Sequence, residues 1–284
     1  MDEIKITECP RDAIQGIKKW IPTVDKIGYM QSLLKVGFDT LDCGSFVSSN
    51  IIPQLKDTGE VIRGLDLTST KTKLLVIITN QRGAEIACNY DQIDYLAFPF
   101  SISENFQIRN VNKTIKESIN ELHLITDKVK KTNKELVVYL SMSFGNPYGN
   151  PWSPSIVSHW CEKLSKLGVK KISLSDTVGT AKIVDIYSVF NTLIPGFPNI
   201  NFGAHFHTTL KNWFYKVDAA YSSGCNSFDG VINEHGGCPI ATSDLLVNMP
   251  TEKLVSYFTK KKLSHKLNLL HFESALNYSN KILK

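Results

Sequence analysis

The stretch Ile4-Lys5-Ile6-Thr7-Glu8-Cys9-Pro10-Arg11-Asp12-Ala13-Ile14-Gln15 decides how the chain is read. Ile4 to Thr7 form a short strand pattern, and the turn that follows contains no glycine. An open dinucleotide-binding sheet carries a GxGxxG turn at this point, where glycines let the backbone approach a pyrophosphate. Its absence turns attention to a closed sheet, in which the residues directly after each strand form the functional face.

Seven more strand candidates follow: Thr40 to Cys43, Leu74 to Thr79, Tyr95 to Phe98, Val137 to Ser141, Lys171 to Leu174, Asn201 to Ala204, and Ser227 to Val231. Each is short and rich in Val, Ile, Leu, Phe or Tyr, the composition of strands covered on both faces. Helical spacing separates them, most clearly at Ile115, Ile119, Leu122, Ile125 and Val129, which share one face at steps of three and four. Thr23 precedes a helix that ends at Gly37, and Ser153-Pro154 opens another that closes at Gly168. Eight strands with crossover helices predict an α/β fold, a (β/α)8 TIM barrel, with an additional C-terminal helix at Leu267 to Leu283 packing across it. A barrel of this kind needs roughly 250 residues, so the 284 present are read as one catalytic domain, 1–284.

Composition narrows the function. Charged residues make up 21% of the chain and the net charge is +5, spread over several helices, which argues against nucleic acid as a partner. There is no run of about 18 apolar residues and no leader-like N-terminus, so no membrane association is expected and a soluble cytoplasmic protein is. Cys9, Cys43, Cys88, Cys161, Cys225 and Cys238 show no CxxC spacing, which fits reduced thiols rather than a disulfide framework or a zinc knuckle.

The chemistry-bearing residues lie at strand ends. Arg11-Asp12 sets a cation beside a carboxylate, a pair also common on ordinary surfaces. His205-Phe206-His207 is more specific, because in an extended segment residues i and i+2 point to the same side and both imidazoles can reach one ion. Two imidazoles with Asp12, and an amide oxygen if one is added, make an N/O donor set without thiolate, suited to octahedral Mg2+ or Mn2+ with open positions. His235-Gly236-Gly237-Cys238-Pro239 offers glycines for close backbone approach to a ligand and a thiol at the same face. Asp42, Ser45, Asn80 and Asp176 also stand at strand ends, where a helix-capping role is the ordinary alternative.

Taken in order, these residues resemble the 3-hydroxy-3-methylglutaryl-CoA lyase family of barrel metallolyases, which is related to the isopropylmalate and homocitrate synthases. The resemblance rests on Pro10-Arg11-Asp12-Ala13-Ile14-Gln15, Gly44-Ser45-Phe46-Val47-Ser48 with Ile52-Pro53-Gln54, Gly145-Asn146-Pro147-Tyr148, Ser173-Leu174-Ser175-Asp176-Thr177-Val178-Gly179, Ala204-His205-Phe206-His207, Gly236-Gly237-Cys238-Pro239 and Asn248-Met249-Pro250-Thr251-Glu252-Lys253-Leu254-Val255. It implies a divalent cation, Mg2+ or Mn2+, held by Asp12, His205, His207 and Asn248. It also implies Arg11, Asp42, Cys238 and His205 as catalytic groups, with Gln15, Ser45, Asn80, Asp176, Gly236 and Gly237 around the substrate.

The implied reaction is retro-Claisen cleavage of 3-hydroxy-3-methylglutaryl-CoA to acetyl-CoA and acetoacetate, a step of leucine degradation, by a homodimer acting on an acyl-CoA. Ile14 stands where the synthases carry Glu, which favours the lyase. Asp42 stands where the lyases carry Glu, Ala13 replaces a glycine, and Thr208-Thr209-Leu210-Lys211 replaces an acidic continuation. The other readings are a related acyl-CoA or 2-oxo acid aldolase or synthase, and a catalytically silent barrel that binds metal or acyl-CoA.

Overall fold

Short apolar strands alternate with helices along the whole chain, and in a computed structural model the strands close on themselves. The structure describes residues 3–234 and 246–283. The strands are β1 (Lys5–Glu8), β2 (Thr40–Ser45), β3 (Lys73–Ile77), β4 (Tyr95–Ser101), β5 (Glu135–Ser141), β6 (Lys171–Asp176), β7 (Asn201–Thr208), β8 (Ser227–Gly230) and β9 (Val247–Asn248). The helices are α1 (Pro10–Gln15), α2 (Thr23–Leu34), α3 (Thr58–Arg63), α4 (Gln81–Cys88), α5 (Glu104–Val111), α6 (Ile115–Val129), α7 (Pro154–Lys166), α8 (Ile183–Gly196), α9 (Trp213–Ser222), α10 (Thr251–Lys260) and α11 (Leu269–Ile282). Each of β1 to β8 pairs in parallel with its neighbours, and β1 pairs with both β2 and β8, so the sheet is a closed (β/α)8 barrel.

All eight expected strands are present, but their ends differ. β2, β6 and β7 continue through Ser45, Asp176 and Thr208, so Ser45, Asp176 and His205-Phe206-His207 lie within strands rather than after them, as Asp42 also does. Ladder pairing explains this, because backbone hydrogen bonds between β6 and β7 persist to Asp176↔Phe206 whatever the side chains are. β9 was not expected. It runs antiparallel to β7, with His207 opposite Asn248.

Two apolar regions result. The large one lies between the barrel and its helices, and includes Leu41, Val76, Leu96, Val138, Leu174, Leu122, Ile125, Val157 and Phe190. The small one is inside the barrel, where Leu75, Ala97, Val137 and Tyr139 cluster on one side. Thr7, Thr40, Ser173, Gly203, Ser227 and Asp229 line the rest of a cavity of about 110 Å3 there.

The helix signals hold in most cases. α6 begins at a capping box in which Thr114 Oγ1 accepts the Glu117 N–H (3.1 Å) and Glu117 Oε2 accepts the Thr114 N–H (2.7 Å), an arrangement of the kind that stabilises a helix start by about 1 kcal/mol. Ser153 caps α7 ahead of Pro154, and Gly168 takes positive φ beyond its end. Thr23 is the first residue of α2 instead of its cap, and its hydroxyl donates to Asp57 at 2.8 Å.

The additional C-terminal helix is present as α11. Rather than crossing the barrel, it packs against α2 and reaches the Ile232–Glu234 turn after β8. Gly28 makes this docking possible: a Cβ there would overlap the Tyr278 hydroxyl. The five cysteines among the described residues are free thiols, and no described helix is long and apolar enough to cross a membrane.

Candidate active site and metal centre

β1 ends at Glu8, and Pro10 at the first position of α1 turns the chain so that Arg11 and Asp12 occupy that helix's first turn. Both are buried. The Arg11 guanidinium donates from Nε (2.9 Å) and Nη2 (2.6 Å) to Asp42 Oδ2, and from Nη1 to Asp12 Oδ1 (3.2 Å) and Gln15 Oε1 (3.0 Å). Its planar fork is thereby fixed between two carboxylates. Asp42 sits on β2 beside a register shift between Asp42 and Gly44, and it has no solvent exposure. Its Oδ1 accepts no hydrogen bond among the described residues, and burial, only partly offset by Arg11, pushes its pKa up to about 6.

His205 and His207 enter the same space from β7. A carboxylate oxygen of Asp12 and one nitrogen from each imidazole lie within 4.8 Å of one another, which makes these three side chains a group able to hold a metal ion. The other nitrogen of each ring is engaged elsewhere: His205 Nδ1 with Asp229 Oδ2 at 3.1 Å, and His207 Nδ1 with the Thr177 carbonyl at 2.6 Å. A carbonyl can only accept, so His207 carries its proton on Nδ1 and leaves the Nε2 lone pair for a ligand. His205 Nε2 is 4.0 Å from Asp12 Oδ2. Asn248 reaches the group through the β9 pairing, and its side chain hydrogen-bonds Asp12.

The protonation states match this use. Burial alone would raise the Asp12 carboxyl, but Arg11, His205, His207 and Asn248 outweigh it and hold Asp12 below its ordinary value. Burial, followed by the neighbouring His205, drives His207 down to about 4, so its ring is neutral near pH 7. At His205 burial is outweighed by Asp229 and Asp12, and affinity for a proton rises. A carboxylate paired with an imidazole that seeks positive charge is a place where a cation can replace a proton. The donor set is neutral nitrogen and anionic oxygen without thiolate, which fits a divalent cation.

The HMGL-like family model matches residues 4–278. The chain belongs to the HMGL-like family. It is 31% identical over 269 residues to a hydroxymethylglutaryl-CoA lyase of Bacillus subtilis, covering 95% of this chain and 89% of that one. The solved Bacillus subtilis HMG-CoA lyase superposes with a TM-score of 0.92 at 30% identity, covering 99% of this chain and 94% of that one. An HMG-CoA lyase from Acinetobacter baumannii, solved in complex with coenzyme A and 3-methylmalate, has a TM-score of 0.90 at 27% identity, covering 99% and 91% of the two chains.

Within this HMGL-like barrel the remaining expected residues fall into three groups. Gln15 lies at the site, where it accepts from Arg11 and donates to Asp12. Ser45, Asn80 and Asp176 are committed to local structure. Ser45 Oγ donates to the Ile77 carbonyl at 3.3 Å, Asn80 caps α4 through the Gly83 N–H at 2.9 Å, and Asp176 pairs with Lys216 at 2.5 Å. Gly236, Gly237 and Cys238 lie outside the described residues.

Sequence reasoning missed Asp229, Ser173 and Lys216. Asp229 on β8 orients His205 and accepts the Ser173 hydroxyl at 2.9 Å. Asp229 and Lys216 each had a faint signal. Asp229 is a charge inside a buried strand, and Lys216 lies on the buried side of α9 with Val217 and Ala220.

Proposed function

We propose that this HMGL-like chain, acting as one catalytic domain over 1–284, cleaves 3-hydroxy-3-methylglutaryl-CoA to acetyl-CoA and acetoacetate by retro-Claisen chemistry. The single observation that carries the reading is the convergence of Asp12, His205 and His207 beside the buried guanidinium of Arg11. Relatives named as hydroxymethylglutaryl-CoA lyases support the choice of substrate.

A base takes the proton of the tertiary hydroxyl, the carbon–carbon bond to the thioester arm breaks, and its electrons enter the thioester carbonyl as an enolate. That carbon then receives a proton. The costly species is the enolate, and Arg11, a permanent cation with fixed geometry, is suited to face its oxygen. Asp42 holds the guanidinium in place and, with its pKa raised to about 6 and an oxygen that accepts no hydrogen bond among the described residues, is the base we assign. Cys238 or His205 returns the proton. A Mg2+ or Mn2+ ion held by Asp12, His205, His207 and Asn248 would polarise the substrate hydroxyl and fix its orientation. Gln15 keeps Arg11 and Asp12 in register. By the family resemblance Gly236 and Gly237 would contact the substrate, with Ser45, Asn80 and Asp176 supporting the site through their structural hydrogen bonds.

In this proposal the chain works in the cytoplasm as a homodimer, in leucine degradation. The test is incubation of purified protein with 3-hydroxy-3-methylglutaryl-CoA and either Mg2+ or Mn2+, with acetoacetate measured directly. Acetoacetate release that requires the cation is expected. Tight cation binding without acetoacetate would sink the lyase reading and favour a related acyl-CoA aldolase or a catalytically silent barrel.

A further inference from the structure

α9 follows the metal-site strand, and on its inner side it carries a cation where an apolar residue would be ordinary: Lys216 is 2% exposed. All three ammonium protons are used. Nζ donates to Asp176 Oδ2 at 2.5 Å, to the Gly179 carbonyl at 3.0 Å and to the His207 carbonyl at 2.9 Å. The first two acceptors bracket Thr177, whose carbonyl receives the His207 Nδ1 proton at 2.6 Å. The third is the backbone of His207 itself. One ammonium therefore grips both ends of the hydrogen bond that sets the tautomer and ring direction of His207. Asp176 completes the anchor by accepting the Ala181 N–H at 3.0 Å, and Gly179, at φ +68° with the Leu246 side chain against it, leaves the loop little freedom.

We infer that Lys216 is a positioning residue for the metal centre, orienting His207 by fixing the Asp176–Gly179 loop to the end of β7. The inference rests on the metal site proposed above. Charge alone argues the other way, since a buried ammonium near a cation site repels the cation. The two accounts thus predict opposite signs. If Lys216 acts only as a charge, its removal tightens cation binding. If it acts by position, removal weakens binding even though a positive charge has gone.

The experiment uses the full chain and Mn2+ alone, titrated by the electron paramagnetic resonance signal of the free ion, with circular dichroism monitoring the fold. Lys216→Met is expected to weaken Mn2+ binding roughly 10- to 100-fold, the usual loss when a ligand's outer partner is removed. Because Lys216→Met leaves Asp176 buried without its cation, the double variant Lys216→Met/Asp176→Asn keeps the test open should the single one fail to fold. It too is expected to bind Mn2+ weakly. In metal-free protein, nitrogen-15 spectra of labelled histidine should show His207 as a single Nδ1–H tautomer in the wild type and as a mixture in the variants. Unchanged or tighter Mn2+ binding by a folded variant, with the tautomer intact, overturns the inference. A wild type that does not bind Mn2+ overturns the metal site itself.

Discussion

Replacing Glu8 by Gln should stabilise the protein increasingly as pH rises. Glu8 ends β1 with its side chain fully buried, accepting the Ile232 N–H at 2.9 Å on one oxygen and the Thr251 hydroxyl at 2.6 Å on the other. Among the described residues no cation offsets its burial. Burial dominates, Glu252 adds repulsion, and the two hydrogen bonds offset them only in part, so the carboxyl rises from 4.5 to about 8. A raised carboxyl pKa means that the folded state holds its proton more tightly than the unfolded state. The associated stability is complete below about 4.5 and is lost as pH climbs towards about 8. At 1.36 kcal/mol per pH unit, the full loss is on the order of 5 kcal/mol. Gln has the same shape, does not titrate, and can accept from Ile232 while donating to Thr251. Thermal unfolding of both proteins from pH 5 to pH 9 should therefore show the variant's advantage widening up to about pH 8 and levelling beyond. Parallel curves, or a wild type that is the more stable at pH 9, would refute the burial argument.

Three further outcomes are expected. Arg11→Met should lower kcat roughly 100- to 1,000-fold, the loss of about 3 to 4 kcal/mol typical of a missing oxyanion contact, while Mn2+ binding persists; near-normal turnover would remove Arg11 from the mechanism. Asp229→Ala leaves His205 Nδ1 without its carboxylate and should weaken Mn2+ binding by roughly 10- to 100-fold, measured by isothermal titration calorimetry. Gly28→Ala drives a methyl group into the Tyr278 hydroxyl and should cost about 1 kcal/mol in denaturant unfolding; an unchanged midpoint would mean that the Tyr278 ring swings aside without loss of packing.

Much of the fold was legible because the signals for it are local. A strand shows itself by β-branched and aromatic residues within a few positions, and α6 by apolar residues at steps of three and four. His205 and His207 were legible as a pair for the same reason, since the two-residue repeat of a strand alone puts them on one side. Where a strand stops is less local. β7 runs to Thr208 because β6 and β9 supply partners for its backbone, and nothing in His205-Phe206-His207 announces those partners.

By itself, the sequence determined the eight barrel strands, the closed fold they imply, and the candidates Arg11, Asp12, His205 and His207. Only the tertiary structure decided that Asp229, reached through β8, faces His205, that Lys216 on α9 spans Thr177 and His207, and that a two-residue strand brings Asn248 beside Asp12. Residue type and spacing constrain dihedral angles and faces over one element. Which faces meet depends on the closure of the sheet and the register of its ladders, a property of the whole ring that no single segment carries.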